Sequence, residues 1–219
     1  SLQSRDVASA GAKLAAAAAA AGGVEGHGSG EAALLALLRS HVRSYYNTKN
    51  CRLSGRLVTE LLQRFPLLGW CVAPLLVGAV RGARDAYLAG EACSHLCTLL
   101  GQRHAIASSD GSRLLPHAAP LREALLELLG KGKLRAKHLL PPVRLASALV
   151  RALADSQQRA AASEAAVALG PAVAAVQARH AHARALVGAC GKFAALAASL
   201  DAPPAAKKKK NKAGGGEKA

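Results

Sequence analysis

Cys93, His95 and Cys97 look most like a metal site in this chain, because thiolates and an imidazole are the ligands zinc prefers. On a helix, residues i and i+4 share a face while i+2 points nearly opposite, so His95 diverges from the two cysteines. One helix of one chain does not aim all three at a single ion, and thiols packed as small apolar groups are expected instead. His180 and His182 diverge on a helix in the same way, and no second ligand pair stands at metal spacing. Ser29, in GHGSGE, lacks the preceding strand that a nucleophile elbow needs. GKGK at Gly130 to Lys133 lacks the rest of a phosphate-loop pattern and follows a predicted helix. The 13 acidic residues are scattered, which argues against paired-carboxylate or two-metal catalysis. The chain is therefore read as a non-enzyme with no catalytic, cofactor-binding or metal-binding residues.

Positive charge is what the chain does offer. With 29 Lys and Arg against 13 Asp and Glu, the net charge of +16 makes polyanions the natural partners. In the tail AKKKKNKAGGGEKA, Lys207, Lys208, Lys209, Lys210 and Lys212 are set among alanine and glycine that build no core, so an isolated disordered segment is expected. From Lys207 onward six lysines and one glutamate supply five of the sixteen positive charges, and the rest lie on the body. Clustered lysines repel one another, which favours a nuclear or nucleolar address, or a polyanion contact, over a merely solubilising end. On the body, Arg52, Arg56, Arg64, Arg81 and Arg84 crowd the corners around an apolar run from Leu67 to Val80. Lys131, Lys133, Arg135 and Lys137 form a second basic link in GKGKLRAKH. Both groups are read as contacts to phosphate backbone, which would be salt-sensitive. At 3% aromatic content, sequence-specific readout by stacking is not supported.

These charges must be carried by helices. Hydrophobic residues make up 51% of the chain, much of it alanine, which favours helix but buries little area, while aromatics are scarce. An all-α fold follows. Residues 1–30 read as an Ala/Gly-rich flexible lead-in, too weakly apolar for a signal-peptide core. A helical domain is expected over 31–201, with a loop near 102–120, and residues 202–219 form the lysine tail. Apolar stripes at helical spacing appear at Leu34 to Tyr45, Leu57 to Phe65, Leu88 to Leu99, Leu121 to Leu129 and Leu145 to Leu153, with a final helical region from about Val173 to Leu200. Pro74 is expected to kink the Leu67–Val80 helix or start a new one, and Pro141-Pro142 to mark a corner. Phe65 to Val80 falls short of the ~20 residues that span a bilayer, so no membrane partner is expected. Five cysteines scattered through predicted helices suit a reducing compartment. Ser1 and the lack of methionine predict a piece of a longer or processed chain.

Paired helices every forty or so residues, with an apolar run needing cover on several sides, suggest an α-solenoid of HEAT or armadillo-like pairs, the alternative being an irregular helical bundle. No clean sequence repeat is visible.

The segment from Val42 to Leu100 resembles the Myb-binding protein 1A and DNA polymerase V (polymerase phi) family, C-terminal part. The matching features are Tyr46-Asn47-Thr48-Lys49, Arg64-Phe65-Pro66, Gly69-Trp70, Ala83-Arg84-Asp85 and Glu91-Ala92. Farther along, Arg184 and Cys190-Gly191-Lys192-Phe193 resemble the family's basic helix. The resemblance implies a non-catalytic nucleolar scaffold of helical repeats linked to ribosomal RNA gene transcription and ribosome biogenesis. It would bind protein partners through helix faces and rDNA or rRNA through backbone contacts. Alanine-rich linkers and shortness set this chain apart from that family. A basic helical protein of an organellar ribosome would share the same composition and is the alternative.

Overall fold

The computed structural model describes residues 66–82, 85–101 and 114–201, with Ala36, Arg39, Ser40, Thr59 and Gln63 as isolated helical residues. The expected lead-in, the lysine tail, and most of the helices over 31–46 and 57–65 lie outside the described residues. Among the described residues the fold is all-α. It has six helices: α1 (Pro66–Gly82), α2 (Ala86–Leu100), α3 (Leu115–Gly130), α4 (Ala136–Asp155), α5 (Arg159–Arg179) and α6 (Arg184–Asp201).

Proline placement explains most departures from the sequence expectation. The loop near 102–120 ends early, because α3 begins at Leu115, with a proline at its start where the missing N–H has no intrahelical partner to lose. The Pro141-Pro142 corner is not a corner. Both prolines lie within the first two turns of α4, where their fixed φ suits the helix. Pro74, Pro120 and Pro171 interrupt α1, α3 and α5 from exposed positions, so carbonyls they leave unpaired can turn to water. α1 therefore runs through Pro74 as one element.

The final helical region is two helices, and α5 begins well before Val173. Its buried stripe is Ala162, Ala165, Ala166, Leu169, Val173 and Val176, at helical spacing but built half from alanine. Small side chains give it high helix propensity and let it approach its neighbours closely. By length and composition α5 could cross a membrane; 33% of that stretch is buried inside the fold, where it packs on α3, α4 and α6.

Helices two apart in chain order pack side by side, α1 on α3 on α5 and α2 on α4 on α6, while α1 with α2, α3 with α4, α4 with α5 and α5 with α6 pair across these two layers. Two cross-links repeat at the same offset of 42 residues: Arg81 to Glu123, between α1 and α3, and Arg122 to Glu164, between α3 and α5. α4 is the hub, packed on α2, α3, α5 and α6, with Leu139, Val143, Leu145, Ala146, Leu149 and Val150 fully buried.

At the far end of α4 the N–H of Gln158 reaches the Leu153 carbonyl at 2.9 Å, closing the helix with Gln157 at φ 60°. That left-handed position favours glycine. Gln157→Gly is expected to leave stability unchanged or raise it by up to ~1 kcal/mol, read as the urea midpoint. A clear loss would show that the glutamine side chain contributes more than backbone strain costs.

Candidate nucleic-acid interface

The layer packing sets which ends of the helices lie together. Arg179, the last residue of α5, donates from Nη2 to the Leu129 carbonyl in the last turn of α3 at 3.0 Å. Its Nη1 lies 3.5 Å from where a Cβ on Gly132 would stand. Arg81, in the last turn of α1, reaches Glu123 and Glu127 in the second half of α3, each at 3.0 Å. The C-termini of α1, α3 and α5 therefore share one end, and the turns that lead into α2, α4 and α6 emerge there.

Two basic turns thus become one ridge. Lys131, Lys133, Arg135 and Lys137 are all exposed between α3 and α4, and Arg179, His180, His182 and Arg184 flank the turn into α6. Arg179 holds the two turns together. Sequence reasoning found the first four but not Arg179, and took Arg184 only as part of a basic helix, because their proximity depends on helices fifty residues apart; His180 and His182, expected on a helix, stand instead in this turn, their rings edge to face at 6.2 Å.

The starts of α4 and α6 lie at this end beside the C-termini of α3 and α5, whose dipoles oppose theirs. Neither α4 nor α6 has an acidic residue in its first turn, and Arg135 at the start of α4 makes no side-chain cap. Basic residues beside a positive dipole end are unfavourable without an anion to offset them. Arg81 is different in that two carboxylates of α3, Glu123 and Glu127, stand beside its guanidinium, whose side chain is still 47% exposed. Arg52, Arg56, Arg64, Arg84 and the lysines from Lys207 to Lys212 lie outside the described residues.

Cys93, His95 and Cys97 are all wholly or mostly buried on α2, which is covered by α1 on one side and α4 on the other. Among the described residues no group of three or more potential ligands could hold a metal ion. Burial pushes the Cys93 thiol well up and that of Cys97 up to about 12, the latter against a small opposing pull from Arg144. Both thiols should stay protonated and resist thiol reagents at pH 8 until the protein is denatured, as a colourimetric thiol titration would read. The unfolded thiol ionises near 9 while the folded Cys97 keeps its proton to about 12, so stability from this group is full below pH 9 and declines above it. Rapid native labelling would contradict this.

Comparison with known protein families, characterised proteins and solved structures finds no match to this chain.

Proposed function

We propose that this chain is a non-catalytic, nucleolar scaffold of stacked helix pairs, of HEAT or armadillo-like solenoid type, that holds nucleic-acid backbone on the basic ridge. The carrying observation is the joining of two basic turns into one unpaired cationic surface by Arg179. Side-by-side packing of alternate helices and the recurring 42-residue cross-link support the solenoid reading, since paired-helix repeats of ~40–47 residues are the period of that architecture. Its part in ribosomal RNA gene transcription and ribosome biogenesis rests on the resemblance of the Val42–Leu100 segment and on the lysine tail. Protein partners would take the helix faces, the nucleic acid would be rDNA or rRNA, and no membrane enters this reading.

Ultraviolet crosslinking of the full chain to RNA, with mapping of the attached peptides, tests it. Attachments should concentrate in residues 130–138 and 179–184. Crosslinks spread evenly over the helices, or none, would sink the interface. Deleting Lys207 to Lys212 from the tagged protein should disperse it from nucleoli without unfolding it, and unchanged localisation would remove the tail from the account.

A further inference from the structure

The ridge continues down one side of the molecule. Lys137, Arg144 and Arg151 recur every seven residues on α4, so they share one face, and all three are exposed. That face borders α2. Gly90 of α2 meets Pro141 of α4, whose Cγ lies 3.5 Å from where a Cβ on Gly90 would stand, and Arg144 acts electrostatically on Cys97 of α2. Gly90 is the fifth residue of α2 and Pro141 the sixth of α4, so the two helices run parallel in near-matching register.

One turn above that contact, toward the ridge, stand Tyr87 on α2 and Lys137 on α4. Tyr87 is 57% exposed, one of three large apolar side chains left so open among the described residues. Its backbone N–H donates to Asp85 Oδ1 at 2.9 Å in the helix cap, and its hydroxyl stands against Glu91, whose charge raises the phenol pKa. The acidic groups facing this seam are Glu91, engaged with that hydroxyl, and Asp85, engaged as the helix cap; Asp155 lies at its far end.

We infer that the α2–α4 seam is a track for single-stranded nucleic acid, with Lys137, Arg144 and Arg151 spaced along its phosphates and a base stacked on Tyr87. The inference rests on the nucleic-acid reading of the ridge and specifies its ligand. From Lys137 to Arg151 the track is about 21 Å long at 1.5 Å per residue, enough for a few extended nucleotides. An exposed ring beside a row of cations is the arrangement that binds unpaired bases with little sequence preference. A duplex keeps its base faces stacked internally and gains nothing from the ring, and an acidic peptide needs only the cations.

The test uses the full chain and two fluorescent probes, a 12-nucleotide oligouridine and a 12-base-pair blunt RNA duplex, followed by anisotropy. Tyr87→Ala should weaken the single strand roughly five- to a hundredfold, the range expected for one lost stack, and leave the duplex unchanged. Tyr87→Phe, which keeps the ring but releases Glu91 from the hydroxyl, should retain most of the single-strand affinity. Arg144→Gln with Arg151→Gln should lower the salt slope for the single strand by about 1.4. Equal losses on both probes, no loss with Tyr87→Ala, or the same loss with Tyr87→Phe would overturn the track. If the parent binds neither probe, the ridge reading fails with it; if it binds both and Tyr87→Ala is silent, only the track fails.

Discussion

Glutamine at Lys131, Lys133, Arg135 and Lys137 together is expected to weaken nucleic-acid binding roughly thirty- to several-hundredfold near physiological salt. That range assigns each exposed cation–phosphate pair about 0.5–1 kcal/mol. The slope of log affinity against log salt should fall by about three, since each neutralised phosphate contributes ~0.7–0.9. Binding should weaken on single strands and duplexes alike, because these side chains meet backbone and not bases. The fold should not suffer. All four residues are exposed, and Arg135 and Lys137 oppose the dipole at the start of α4, so the melting temperature should hold or rise. An unchanged salt slope would place the interface elsewhere. A large drop in melting temperature would show that the ridge is structural. Arg179→Gln offers an independent check: it leaves the four cations in place but removes the tie between the turns, so affinity should fall with a slope change of only about one.

Leu149→Ala is expected to cost about 4 kcal/mol, near the upper part of the range for a buried leucine. Leu149 is fully buried on the helix that packs against four others, and fixed backbones on every side leave little room for the cavity to collapse. Against a typical total of ~5–15 kcal/mol, a loss of this size removes a large share of the stability. Urea denaturation followed by circular dichroism should show a lower midpoint at an unchanged slope. Arg151→Ala, two residues along and exposed, is the control and should stay within ~0.5 kcal/mol. Equal effects from both would mean that α4 is not the hub.

The leucine stripes of α2, α3 and α4 were legible because leucine recurs at helical spacing, and the buried residues Leu96, Leu99, Leu121, Leu125, Leu145 and Leu149 are among those that mark them. The first half of α5 escaped notice because it buries alanine, a residue that hydrophobic patterning counts weakly although it packs well. Prolines misled in the opposite direction. At Pro74, Pro120, Pro141, Pro142 and Pro171 the helix continues, since each stands near a helix start or on an exposed face where an unpaired carbonyl costs little.

Composition and periodicity alone determined the helical class, the excess of positive charge and the burial of Cys93 and Cys190, because those depend on residue type and on neighbours a few positions away. Tertiary packing decided which charges count. It paired Arg81 with Glu123 and Glu127, brought Arg179 to the turn that carries Lys131 and Lys133, and set Tyr87 level with Lys137. Each of those pairings joins residues more than forty positions apart. Local spacing does not encode such distances, which are set by how the helices stack.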